Sequence, residues 1–366
     1  MLALKFIIGT LVLAGFGYGL RNPPKGFWRG AMSFVVAFAL TATVIRVMAN
    51  QSGIVREDAY ARIAANALVQ VKTSNLPYIL FVGASYSRNA LDDQALATGL
   101  RSRGYVYQVI NFALEGASLQ ERDLRLRQFL AAVPRPPEMV FLEISRKFDE
   151  NPTYGFEVAK FSNRVFGQFD LRGTIWAVRG LLEQRQQLGT KAFLKDSVLL
   201  ALHIPVNLGN IGLFTSGDHL SKFTRVAAYD PQDKPRSEVT EQARNTGLLA
   251  PYASEREQAP KWATAFRAEQ ATYLRRAGIS KIGYYFPPVI DATERAYVAA
   301  RCLEYENCIA PTDLTLLGQL DDDLWFDAEH LLVGGAAIYT DWLADEIEQT
   351  GSLHNAKRQL ALELRR

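Results

Sequence analysis

The sequence predicts an α/β protein, a parallel sheet with helices on both faces, preceded by a membrane anchor. Three observations carry that expectation. Beyond residue 76, short uncharged apolar runs alternate with stretches of helical spacing. The runs are unbroken rather than alternating, as in strands buried on both faces. The first fifty residues hold two long apolar segments without a charge. Composition excludes other classes: 366 residues, 48% apolar and 22% charged, belong to no disordered, collagen-like or disulfide-scaffold chain. Forty-one Lys and Arg against 38 Asp and Glu leave a net charge of +3, so no chain-wide basic field holds a nucleic acid.

The apolar segments run from Phe6 to Leu20 and from Gly30 to Ile45, with RNPPKGFWR between them. At about 1.5 Å per residue each falls a little short of a hydrocarbon core of about 30 Å, but Lys5, Arg21, Arg29 and Arg46 can snorkel outward. Residues 1–50 therefore read as a transmembrane helical hairpin. A cleaved signal peptide for the first segment and a buried core helix for the second are the alternatives, although no A-x-A site follows the first. Arg21, Lys25 and Arg29 crowd the connector without an acid, which places it on the cytoplasmic side and residues 51–366 outside. Cys302 and Cys308 fit a loop-closing disulfide in an oxidising compartment, or two buried thiols.

The α/β pattern begins with Tyr78 to Val82, ended by Gly83, and a helix-compatible stretch to about Arg103. A second strand is expected from Val106 to Phe112 and a helix from Leu119 to Ala132. The Pro134-Arg135-Pro136-Pro137 breaker follows, then a third strand from Met139 to Ile144. Later come a helix from Pro260 to Arg276, a strand from Lys281 to Phe286, and helices from Ala292 to Leu303 and Gly334 to Glu348. Ligands of such a sheet bind beyond the C-terminal strand ends.

Between about 150 and 258 the alternation lapses, and the region reads as a helical and loop insertion in the domain spanning 51–366. Its stretch from Lys160 to Asp196 mixes seven Lys and Arg with Phe161, Phe166, Phe169, Trp176 and Phe193. A lipid headgroup layer or an anionic glycan would suit that mixture, but a solvated face over a buried aromatic stripe explains it better. Asp230 to Pro260 reads as a surface loop.

Two segments carry the chemistry. Ser85, in Gly83-Ala84-Ser85-Tyr86-Ser87, stands in the strand-to-helix turn, where hydroxyl and backbone N–H can face a site; an N-cap serine is the plainer reading. Asp327 and His330, in Asp327-Ala328-Glu329-His330, are close enough on one turn for the carboxylate to hold Nδ1–H and leave Nε2 toward a hydroxyl. The order is Ser, Asp, His, but the first segment is not the G-x-S-x-G elbow of α/β-hydrolases. Asp321-Asp322-Asp323 reads as a solvated turn, His203, His219 and His354 have no metal-ligand spacing, and no dinucleotide or P-loop motif occurs. Neither a metal nor a cofactor is expected.

These segments resemble the SGNH (GDSL-like) hydrolase and acyltransferase superfamily over about residues 76–148 and 258–350, with Gly83-Ala84-Ser85 at its first block and Asp327-Ala328-Glu329-His330 at its last. The resemblance implies a three-layer, flavodoxin-like sheet, with Ser85, His330 and Asp327 as catalytic triad and N–H groups of Ser85 and Gly116 facing an oxyanion. The third block departs: Glu143-Ile144-Ser145-Arg146 stands where the family has G-x-N-D, leaving Ser145 or Arg146 to replace the missing asparagine donor, and Ala84 replaces the family's aspartate. With the anchor, the chain looks like the SGNH-type proteins of bacterial envelope-polymer modification. That implies O-acyl transfer, presumed acetyl, to an envelope or exported polysaccharide at the periplasmic or outer face of the bacterial inner membrane, beside a membrane-bound O-acyltransferase. An esterase on the same substrates and a catalytically inactive SGNH-like subunit are the alternatives.

Overall fold

The computed structural model describes residues 26–33, 59–158, 171–208, 229–230, 232–235, 259–311, 314–351 and 353, with single positions between 36 and 44. Five strands form one parallel sheet: β1 (Tyr78–Gly83), β2 (Gln108–Ala113), β3 (Met139–Glu143), β4 (Lys281–Tyr285) and β5 (Cys308–Ile309), in the order β2-β1-β3-β4-β5. This is the flavodoxin-like order, which reverses direction between β1 and β3 and opens a crevice at their C-terminal ends.

Pleating explains the two cores. Along β1, Tyr78, Leu80 and Val82 point to one face and Ile79 and Phe81 to the other, and every position is buried. The first face is covered by α1 (Ala59–Thr73), α4 (Leu119–Ala132), α9 (Lys261–Arg276) and α10 (Ala292–Cys302), through Tyr60, Phe129, Leu274 and Tyr297. The second is covered by α3 (Asp93–Ser102), α11 (Leu314–Leu317) and α12 (Val333–Thr350), through Leu96, Leu316 and Tyr339. Phe81 and Phe141 stack at 4.7 Å on that face.

The stretch after β1 holds two helices rather than one, α2 (Ser85–Ala90) and α3, because Asp92 caps a new start by accepting from Gln94 and Ala95 N–H. The 150–258 region contributes α6 (Tyr154–Val158), α7 (Leu171–Glu183) and α8 (Arg185–Leu208), after the short α5 (Arg146–Asp149). Cys302 and Cys308 are disulfide-bonded, joining the end of α10 to the first residue of β5. The first apolar segment, Phe6 to Leu20, lies outside the described residues, as do Phe161, Phe166, Phe169, His219 and His354. Of the second segment the described part is helical at 27–33. Among the described residues no helix is long and apolar enough to cross a membrane.

Candidate active site

Ser85 is the first residue of α2, directly beyond the C-terminal end of β1. A six-residue helix has no stability of its own, and neighbouring strands hold it at both ends. The Ala84 N–H donates to Glu143 Oε2 at 2.9 Å. The Ser87 hydroxyl donates to the same oxygen and accepts from Tyr285 Oη at 2.6 Å. Arg122 Nη1 donates to Glu143 Oε1 at 3.0 Å. Glu143, Ser87 and Arg122 are all buried, so the carboxylate's charge is matched inside the protein. At the other end of α2, Asn111 Nδ2 on β2 donates to the carbonyls of Ser87 and Leu91 at 3.2 and 2.8 Å. Gly83 lets this cluster close up, since a Cβ there would lie 2.6 Å from Glu143 Oε2 and strike Ser87.

Asp327 and His330 lie not on a helical turn but opposite each other in a two-stranded hairpin, β6 (Trp325–Asp327) and β7 (His330–Leu331). The one-turn expectation fails because Asp327 Oδ1 accepts the Glu329 N–H at 2.9 Å, tightening a two-residue β-turn instead. His330 Nδ1 approaches Asp327 Oδ1 at 2.7 Å. A carboxylate only accepts, so Nδ1 donates in this contact and Nε2 is the nitrogen left for another partner. Nε2 is buried and makes no hydrogen bond, so the Ser85 hydroxyl is not bonded to it here. The two ends of the chain nevertheless converge: α2 packs on β7, and the ring of Tyr86, the residue after Ser85, stacks on the His330 imidazole at 5.6 Å.

Gly116 follows β2 with φ +60°, a left-handed conformation that favours glycine. Beside it the Tyr60 hydroxyl of α1 donates to the Glu115 carbonyl. Ser145 precedes α5 and is fully buried. Its hydroxyl lies beside the Glu294 carboxylate without the geometry of a hydrogen bond. Glu294, from α10, accepts the N–H groups of Arg146 and Lys147 at 2.6 and 3.3 Å. Burial pushes its carboxyl up to about 7, against the opposing pull of Ser145 and those two N–H groups.

A cleft of about 260 Å³ opens here, lined by Tyr86, Arg146, Lys147, Val289, Glu294 and Glu329 among others. Its lining includes Tyr86 and Glu329, the chain neighbours of Ser85 and His330, rather than the pair itself. Lys147 Nζ meets Glu329 Oε2 at 2.8 Å, linking the β3 side of the cleft to the β6–β7 turn. Burial pulls the Lys147 ammonium down, but the Glu329 carboxylate more than offsets this and raises it.

Asp230, expected on a surface loop, is buried. The Arg88 guanidinium inside α2 requires it: Nη2 meets Asp230 Oδ2 at 2.9 Å, and Asn89 Nδ2 donates to the Asp230 carbonyl at 3.1 Å. Two residues on, the Gln232 carbonyl accepts the Val333 N–H at 3.2 Å, just beyond β7. Asp230 and Gln232, from the insertion, thus brace both segments that carry Ser85, Asp327 and His330. Among the described residues no group of three His, Cys, Asp or Glu side chains is placed to hold a metal.

Sequence reasoning did not find the roles of Glu143, Lys147 and Glu294. Glu143 had a signal, a lone carboxylate ending an apolar strand, which must find a buried cation. The other two had none, because their partners come from elements far away in sequence. No family model, characterised protein or solved structure matches the chain.

Proposed function

We propose that the chain is a membrane-anchored, extracytoplasmic SGNH-like O-acyltransferase, acetyl being the expected group, acting on a cell-envelope or exported polysaccharide. One observation carries this reading: an Asp327–His330 pair packed through Tyr86 against the helix that Ser85 opens, at the C-terminal edge of a 2-1-3-4-5 sheet. The Cys302–Cys308 disulfide suits an oxidising compartment. In the second N-terminal segment Met32, Val36, Leu40 and Val44 are exposed, as a membrane-entering helix requires.

In the first step His330 Nε2 takes the Ser85 hydroxyl proton as Oγ attacks the acyl carbonyl carbon. Asp327 steadies the imidazolium, and the N–H groups of Ser85 and Gly116 hold the oxyanion. Ser145, fully buried, or Arg146, whose N–H meets Glu294, stands where the missing third donor would be. Collapse breaks the bond to the donor's leaving group, which takes the proton from His330. A glycan hydroxyl then gives its proton to His330 and attacks the acyl-serine, and Ser85 regains a proton as it leaves. With water as acceptor the same groups form an esterase. The acyl donor fits delivery by a membrane-bound O-acyltransferase.

The missing asparagine donor and the unbonded Nε2 favour a second reading, an inactive SGNH-like subunit of such a complex. Reconstitution with donor and acceptor decides between them. Under the proposal Ser85→Ala abolishes transfer, and trapped enzyme carries the acyl mass on Ser85. Full transfer by Ser85→Ala refutes it.

A further inference from the structure

Helix α7 has two apolar faces. The inner one, with Trp176, Ala177 and Leu181, is buried against neighbouring helices, as the solvated-face reading expects. The outer face departs from that reading, because Leu171 is 77%, Ile175 47%, Val178 41% and Leu182 59% exposed. These positions follow i, i+4, i+7 and i+11, so at 3.6 residues per turn they share a stripe within about 60° of arc. Helix α8 adds Leu194 and Val198, one turn apart and also exposed. A helix face kept in water carries polar residues there.

The charges beside the stripe are mostly cationic, with Asp196 of α8 between Leu194 and Val198 and Lys195 paired with Glu157 at 3.0 Å. Residues 171–201 hold five Lys and Arg against two Asp and Glu. The single acid of α7, Glu183, is turned to cap α9, accepting the N–H groups of Lys261 and Trp262 at 2.6 and 2.9 Å. Arg172 likewise turns inward to Asp123 and Glu269. Arg179, Arg185 and Lys191 stay exposed. The Arg179 guanidinium lies over the Trp176 ring at 5.0 Å and that of Arg185 over the Phe193 ring at 5.4 Å, cations held against aromatic faces beside the stripe. An aliphatic stripe edged by cations is the composition of a helix lying in an anionic lipid interface.

We propose that α7 and the adjoining part of α8 form a second membrane contact, resting on an anionic phospholipid surface and fixing how the α/β domain sits above it. The proposal rests on the membrane location in the reading above and is independent of its chemistry. The test uses the full chain reconstituted in phosphatidylcholine–phosphatidylglycerol vesicles that carry nitroxide-labelled lipid. Fluorophores are placed singly at Val178→Cys, at Leu40→Cys in the second N-terminal segment, and at Val106→Cys between α3 and β2. The probe at 178 is expected to be quenched and the probe at 106 spared. Arg179→Gln with Arg185→Gln, or phosphatidylcholine alone, should weaken the 178 contact, by about fivefold per cation removed. Quenching at 40 without quenching at 178 overturns the proposal and leaves the anchor standing. Quenching at neither overturns both. A probe at 178 shielded from both lipid nitroxide and aqueous iodide overturns the proposal in favour of a protein covering, a second copy or another segment of this chain. Ser85→Ala should leave every value unchanged, which separates this outcome from the acyl-transfer reading.

Discussion

The serine-bearing turn and the histidine-bearing hairpin are held in opposite ways. Glu143 beneath Ser85 ties Ala84, Ser87 and Arg122 together in a buried polar cluster, and Asn111 closes the far end of α2. His330 instead rides on a hairpin of a few residues, oriented by Asp327 and tethered through the partly exposed Lys147–Glu329 pair. Ser85, itself half-buried, is thus placed by a buried cluster of its neighbours, in which both Glu143 oxygens are hydrogen-bonded. His330, also half-buried, is oriented instead by Asp327 and the Tyr86 ring, so substitution of Asp327 should change chemistry more than stability.

The largest effect expected is on rate. Asp327→Asn should lower acyl transfer by about 10⁴-fold through the wrong imidazole tautomer, with an unfolding midpoint close to that of the parent chain. A parallel loss of stability would erase the contrast. Glu143→Gln should do the reverse, costing about 3–5 kcal/mol in denaturant unfolding because it leaves Arg122 charged and buried without its partner. A cost below about 1 kcal/mol would show that the cluster is dispensable.

Glu294 sharpens the contrast through pH. Its carboxyl lies at about 7 in the folded protein against an ordinary value of 4.5. The folded form therefore holds a proton that the unfolded form has released, and stability falls as pH rises through that window. Glu294→Gln should flatten the fall by up to about 3 kcal/mol. A residual slope of the same sign is expected from Asp93, which burial pushes up to about 6. An unchanged slope in the variant would show that Glu294 titrates normally. The smallest effect is expected from Lys147→Met, below about 1 kcal/mol in unfolding, since its pair with Glu329 is partly solvated.

The strands were legible because they are buried on both faces: Tyr78 to Val82 and Met139 to Leu142 show unbroken apolar runs, and the observed elements begin at the same residues. The helix from Leu119 to Ala132 was legible from its spacing and from the prolines after it, rather than from the Ser118 cap at its start. The edge strand Cys308–Ile309 was not, being two residues long and defined only by its pairing with Tyr284 and Tyr285. The Asp327–His330 pairing followed from their spacing, but the hairpin that holds it did not, because three residues of separation suit a helical turn and a tight β-turn alike. Glu294 and Lys147 reach the cleft only through tertiary packing, which no local pattern encodes.

The clasp between Arg88 and Asp230 bears on how this polypeptide can be trimmed. Excising everything from about 150 to 258 would look harmless by residue count, yet it would remove the carboxylate that meets the buried Arg88 guanidinium inside the helix that Ser85 opens. A minimal version of the domain must therefore splice around residues 229–235 and keep that strap together with the α/β domain.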